Sequence, residues 1–174
     1  MLSASRIAMI CAALLSLPAT ADGDRSERVS TRLVSYQEVP AISSTASGRF
    51  RARIDETAGT ISYELSYSGL TGDVRQAHIH FGQQSVNGGV SVFLCQTAVN
   101  ADPTGLAPQC PQSGTVTGLI QAANLIGPGG QGIAAGELAE LIAAIRAGIA
   151  YVNVHSSTFP GGEVRGQLRS RHDD

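Results

Sequence analysis

The sequence has 174 residues, with 12 basic and 14 acidic side chains and a formal net charge of −2 at pH 7. That length suits one ordinary domain and is enough to bury a single contiguous core. Every basic side chain is an arginine, and the near-neutral balance shows no basic patch, so we expect no nucleic-acid partner.

The first 21 residues have the pattern of a secretory signal peptide. Arg6 precedes the apolar run Ile7–Leu17, and the small-residue segment Ala19–Ala21 follows it. We predict cleavage near Asp22 and a periplasmic or secreted protein. The run is shorter than the roughly 20 residues that span a bilayer, so we expect no membrane span after signal removal. A lipid anchor on Cys11 is disfavoured, because no small residues precede it.

Residues 22–31 are charged and lack apolar periodicity, so we predict a disordered leader before a β domain of residues 32–170. Within the domain, 49–55 and 61–68 alternate apolar and polar side chains around the turn-rich segment 56–60. This pattern predicts an antiparallel hairpin. Further short strands are predicted at 75–81, 89–94 and 114–120.

Cysteine usage also indicates an oxidising compartment. Removal of the signal peptide leaves Cys95 and Cys110 as an even pair on either side of a polar loop. We predict a disulfide between them, with two buried thiols as the alternative. A copper-thiolate site at this pair is less favoured.

One segment departs from the strand pattern. Residues 136–146 repeat apolar side chains with helical spacing, and Gly148 stands where a C-terminal cap belongs, so we predict an amphipathic helix. A second hairpin is predicted from 149–155 and 163–169, which flank a loop with a Pro-Gly turn signal. The predicted fold is therefore mainly β, an antiparallel β-sandwich or Greek-key barrel with one short amphipathic helix.

Histidines on two of these strands are the strongest candidates for chemistry. His78 and His80 lie two residues apart on one strand and share a face, and His155 ends another predicted strand. If the two strands are neighbours, three imidazoles converge, which suits copper and, less well, zinc. The alternative is that the histidines are hydrogen-bonded packing residues. His172 lies in a polar tail and is expected to be solvated.

Arg165 follows the second turn and is a candidate for steering an anion to the histidines. The alternative is an ion pair with Glu163, which shares its face of the strand. The glycine-rich segment 126–132 has no lysine for a phosphate loop, and no G-x-S-x-G motif surrounds Ser156, so nucleotide binding and serine hydrolysis are not expected. No catalytic residue is identified.

Several of these segments together resemble the CHRD (chordin-type) domain family, over residues 32–169. They are LVSYQEVP, AHIHFG, NGGVSVFL, GTVTGLI and, most specific, the run ending in AYVNVHSSTFPGGEVRGQL. The resemblance implies an extracytoplasmic β domain. In animal chordins such domains accompany cysteine-rich modules that bind growth factors, and because this chain has none, growth-factor antagonism is not carried over.

A weaker similarity links AHIHFG to the copper-ligand strand of copper-zinc superoxide dismutases. His78 and His80 match the first copper ligands of that family, and His155 the last. The pattern then departs, because neither a bridging histidine nor a His and Asp cluster for zinc is found, which leaves only a copper-only variant.

Three functions follow. The favoured one is an exported protein that binds a metal ion, with copper preferred, through His78, His80 and His155. The second is a structural or adhesive extracytoplasmic module that binds an envelope or extracellular protein or a surface polymer. The third is a copper-only, superoxide dismutase-like activity, and overall a binding protein is favoured over an enzyme.

Overall fold

β-Strands are the main regular element of the structure, a computed structural model that describes residues 27–171. The strands of these residues are β1 (Glu27–Val34), β2 (Ser47–Asp55), β3 (Thr60–Ser68), β4 (Val74–Phe81), β5 (Gly89–Cys95), β6 (Gly114–Ile120), β7 (Ala150–Ser156), β8 (Val164–Gln167) and β9 (Arg169–Arg171). The α-helix, α1, is Leu138–Arg146.

The strands form one antiparallel sheet in the order β5-β4-β7-β8-β1-β2-β3-β6, and β9 also pairs with β1. The two ends of the sheet approach each other, since the Tyr63 hydroxyl on β3 donates a 2.6 Å hydrogen bond to the Leu94 carbonyl on β5. The sheet is therefore nearly closed and barrel-like. This confirms the predicted mainly β, antiparallel fold with one helix.

The hairpin predicted at 49–68 is present as β2 and β3. Phe50 and Ile54 point into the core, and the arginines between them are exposed, as the alternation requires. Arg51 lies opposite Glu64 and forms an ion pair with it at 3.6 Å. The expectation of no basic patch is wrong, because strand pairing also brings the arginines of β1 beside those of β2, which net charge cannot reveal.

The predicted helix begins two residues later than expected and ends at Arg146. Leu138, Leu141 and Ile145 are buried on its inner side and join the core of the barrel. The chain then turns at Gly148, whose positive φ of 69° favours glycine and whose N–H donates to the Ile145 carbonyl at 3.0 Å.

The predicted leader is wrong for residues 27–31, which form the start of β1. Val29 and Leu33 fill the core, but polar Thr31 between them hides the alternation. Glu27 is buried as well, because Arg146 of α1 binds its carboxylate at 2.6 Å. Because Glu27 is charged although it faces inward, the sequence of this segment resembles that of a solvated leader. The predicted signal peptide, residues 22–26 and His172 lie outside the described residues.

The disulfide between Cys95 and Cys110 is confirmed. It closes the loop that follows β5, and the buried carboxylate of Asp102 organises that loop by accepting hydrogen bonds from the N–H groups of Thr104, Leu106 and Ala107. A disulfide of this kind fits an oxidising compartment. In residues 27–171, no helix has both the length and the apolar character needed to cross a membrane.

Candidate metal centre

The candidate centre lies on the outer face of β4 and β7, which are hydrogen-bonded neighbours. His78 pairs across the strands with Asn153, and His80 pairs with Tyr151. The intervening residues, such as Ile79 and Val152, point the other way into the core. The two-residue strand period and this pairing therefore put all three histidines on one face.

The three imidazoles lie close enough to share one ion. One nitrogen from each of His78, His80 and His155 lies within 4.8 Å of the others. Nδ1 of His78 is 3.1 Å from Nε2 of His155, and the rings of His78 and His80 stand edge-on with centroids 5.2 Å apart. The structure thus brings together the residues that the sequence singled out.

Backbone carbonyls orient two of the rings. Nδ1 of His80 is 2.9 Å from the Gly88 carbonyl, and Nδ1 of His155 is 2.9 Å from the Pro160 carbonyl. A carbonyl can only accept, so each Nδ1 carries the proton and each Nε2 is the unprotonated nitrogen. This is the arrangement that metal-binding histidines commonly have.

Two of the buried ring nitrogens have no hydrogen-bond partner, namely Nε2 of His78 and Nε2 of His80. Buried polar atoms are almost always paired, since an unpaired one costs about 1–3 kcal/mol. Nε2 of His155 instead contacts His78 and lies 2.9 Å from the Asn153 amide oxygen. The unpaired Nε2 of His80, beside the imidazoles of His78 and His155, is what a metal ion would satisfy.

Burial keeps the imidazoles neutral. Each histidine is less than a tenth exposed. Burial, reinforced by the nearby His155 and His80, lowers the pKa of His78 to about 2. Burial also lowers the pKa of His155 to about 4, although the hydrogen bond to Pro160 opposes it, and it lowers the pKa of His80. Neutral imidazole is the form that binds a metal.

A stack of three side chains covers the His80 side of the centre. The Tyr151 ring lies parallel to the His80 ring with centroids 4.7 Å apart, and the Arg165 guanidinium lies 3.4 Å above the other face of Tyr151. Arg165 is 1% exposed and donates to the carbonyls of Gln83 and Val86. It therefore holds the loop 82–88 over the histidines, and its role in anion steering stays a prediction.

Glu163 does not pair with Arg165. Its carboxylate accepts hydrogen bonds from the hydroxyls of Ser44 and Thr71, at 2.6 and 2.7 Å, and from the N–H of Thr71. Although burial raises the pKa of Glu163, these hydrogen bonds, with one from Ser156, lower it below its ordinary value. Through these hydrogen bonds, Glu163 connects the loops 35–46 and 69–73 to the start of β8.

Sequence reasoning missed Glu38, the acid beside this stack. It is 5% exposed, its Oε1 has no hydrogen-bond partner, and burial raises its pKa to about 7 against the opposing charge of Arg165. A side chain at Gly162 would meet both this carboxylate and the Asn153 amide. No local pattern could reveal it, because the loop after β1 reaches the site only in the folded chain.

Comparison with known proteins agrees with this architecture. The model of the CHRD domain family matches residues 29–168. Neither the curated proteins nor the solved structures contain a match to the chain. The matched region runs from β1 to the residue before β9, and so includes all three histidines. Because it covers far more than half of the 174 residues, the chain belongs to the CHRD domain family.

Proposed function

We propose that this CHRD-domain protein is exported and binds a transition-metal ion, with copper preferred, through His78, His80 and His155. The observation that supports it most is the trio of buried, neutral imidazoles whose nitrogens lie within 4.8 Å of one another. Two of those imidazoles are already oriented by backbone carbonyls. A site prepared in this way loses little conformational entropy when the ion binds.

The spacing supports a coordination site. With metal–nitrogen bonds of about 2.0–2.1 Å, two ligands stand about 2.9 Å apart at a right angle and about 3.3 Å apart at a tetrahedral angle. The 3.1 Å between Nδ1 of His78 and Nε2 of His155 falls between these values. An ion bound there would replace the hydrogen bond between the two rings, with the proton of His78 moving from Nδ1 to Nε2, and would take the free Nε2 of His80 as its third ligand.

The donor set favours copper. The group consists of imidazoles alone, without a carboxylate or thiolate. Imidazole suits copper and zinc, and copper stands highest in the general order of affinities for divalent ions. The disulfide and the CHRD family membership support a place outside the cytoplasm, which we propose to be the periplasm or the exterior.

Calorimetric titration of the metal-free mature protein with Cu(II), Zn(II) and, under reducing conditions, Cu(I) tests the proposal. We expect one ion per chain, bound most tightly as copper. The double variant His78→Ala, His80→Ala should lose at least about a hundredfold in affinity, while the matched control His172→Ala should keep it. Equal copper binding by wild type and the double variant, with both folded by circular dichroism, would refute it.

A second function is favoured by the hydrogen bonds of the same histidines. His80 binds the Gly88 carbonyl and His155 binds the Pro160 carbonyl, so the rings tie two loops to the sheet without any ion. In a structural or adhesive module, the double variant would lower stability but leave metal affinity unchanged. Capture of an envelope protein or polymer by wild type and by the double variant alike would support this function.

Binding is a better proposal than superoxide dismutation. Rapid dismutation needs a copper ion open to the solvent and a cation that guides the anion toward it. Here the three histidines and Arg165 are all buried, and Arg165 is engaged by the loop 82–88. A copper-loaded protein without measurable superoxide turnover is therefore expected.

A further inference from the structure

We propose that the outer face of β1, β2 and β3, on the opposite part of the sheet from the histidines, binds a linear acidic polysaccharide. Five of the chain's 12 basic residues project from this face and are exposed. They are Arg28, Arg32, Arg49, Arg51 and Arg53. In the strand order, β8 separates this face from the two strands that carry the histidines.

The arginines are placed against each other. Arg32 lies directly opposite Arg49 in the pairing of β1 with β2, and Arg28 lies directly opposite Arg53. Like charges at directly opposed positions destabilise a sheet. Within the part of the chain that the structure describes, no carboxylate forms an ion pair with Arg32 or Arg49. An anionic ligand would relieve the repulsion between Arg32 and Arg49.

Acids do little to neutralise Arg32, Arg49 and Arg51. Glu64 lies in the middle of it and pairs with Arg51 at 3.6 Å, with both side chains about half exposed. Asp55 lies at its edge, where its carboxylate accepts the N–H of Ala58 in the turn. Exposed pairs of this kind are weak, so Arg51 can exchange Glu64 for an anion of the ligand.

The arginines sit beside hydroxyl groups. A shallow hollow at the end of the face is lined by Arg32 and Arg49 together with the hydroxyl side chains Ser47, Ser66, Ser113 and Thr115. Guanidinium groups bind carboxylate and sulfate oxygens with paired hydrogen bonds, and hydroxyls can both donate to and accept from sugar hydroxyls. This combination matches a ligand that carries both acidic groups and sugar hydroxyls.

The length of the arginine row favours a polymer over a small anion. Arg49, Arg51 and Arg53 follow one another along β2, and because alternate residues of a strand share a face, the row extends about 13 Å. A nucleic acid is less suitable. Single strands bind on exposed aromatic rings, whereas Tyr63 and Tyr67 on β3 are buried and donate their hydroxyls to backbone carbonyls.

The test uses the full mature protein and four probes: dextran sulfate, polygalacturonate, neutral dextran and a single-stranded DNA oligonucleotide. We expect binding to both acidic polysaccharides at low salt and none to neutral dextran. Binding should weaken as salt rises, because the contacts are ionic. Tighter binding of the oligonucleotide than of either acidic polysaccharide would overturn the proposal, as would binding to neither of them.

Variants connect the binding to this face. Each of Arg32→Ser and Arg49→Ser should weaken binding to dextran sulfate about tenfold, since each removes a charge-assisted contact. Arg75→Ser on β4, which removes the same charge away from the face, should change it less than about twofold. Equal losses from Arg75→Ser and Arg49→Ser, in proteins with unchanged thermal unfolding, would overturn it. Copper titration of Arg49→Ser should match wild type, which separates this proposal from the metal site.

Discussion

The burial of neutral histidines makes a sharp prediction about stability at mildly acidic pH. The pKa of His78 falls to about 2 and that of His155 to about 4 in the folded protein, whereas both are near 6.5 in an unfolded chain. As pH falls below 6.5, these two histidines bind protons in the unfolded chain but stay neutral in the folded protein. The free energy of unfolding must therefore fall with pH, until the folded histidines themselves titrate.

The size of the effect follows from linkage. Between pH 7 and pH 5, each such histidine lowers the free energy of unfolding by about 2 kcal/mol, so His78 and His155 together remove about 4 kcal/mol. Glu38 acts in the opposite direction, because its folded pKa of about 7 lies above the unfolded value of 4.5. Because Glu38 binds a proton in the folded state, it restores about 2 kcal/mol of the free energy of unfolding over the same interval. His80, whose pKa is also lowered, adds to the loss caused by the other two histidines.

Urea denaturation of the metal-free protein at several pH values measures this balance. Wild type should lose about 2 kcal/mol or more between pH 7 and pH 5, and Glu38→Gln, which cannot take up the proton, should lose about 4 kcal/mol or more. Stability that stays constant or rises toward pH 5 in Glu38→Gln would refute the reasoning, because it would mean that the folded histidines accept protons. A bound copper ion should raise the free energy of unfolding at pH 7, and the gain should grow with the logarithm of the free copper concentration above the Kd.

Three further predictions concern the scaffold. Reduction of the disulfide, or the double variant Cys95→Ala, Cys110→Ala, should lower the free energy of unfolding by about 3 kcal/mol for a loop of this length, as measured in urea with and without reductant. Arg146→Ala should cost about 3 kcal/mol because it leaves buried Glu27 without its partner, whereas Glu56→Gln, on the exposed side of the same arginine, should cost less than about 1 kcal/mol. Gly88→Ala should weaken copper binding and lower the melting temperature. Its Cβ would clash with the Phe81 carbonyl oxygen and displace the Gly88 carbonyl, which orients His80. Its control, Gly161→Ala, has open space and should behave as wild type in calorimetry and in thermal melts.

The strand pattern was readable where one face of a strand meets water and the other meets the core. The alternation of Phe50 and Ile54 with arginines identified β2, and the same period placed His78 and His80 on one face. Local periodicity carries this information because neighbouring side chains in a strand point to opposite sides. The convergence with His155 was conditional on β4 and β7 being neighbours, which only the fold could decide.

The sequence could not reveal features that depend on distant contacts. Glu27 looks like part of a charged leader until Arg146, far along the chain, reaches its carboxylate. Glu38 comes close to Arg165, and the loop 82–88 to His80, only in the folded chain. The arginines of β1 and β2 form a patch only once those strands pair. In each case a charged residue is placed by a partner that is remote in sequence.

The position of β7 has a kinetic consequence for any bound ion. All seven of its residues are buried, and it is hydrogen-bonded to β4 on one edge and β8 on the other. A strand enclosed in this way opens only when the whole domain unfolds, so its amide hydrogens should be among the slowest to exchange with solvent. The loops that carry Gly88 and Pro160 lie outside the paired strands, so the residence time of a bound ion would follow the rate at which they open.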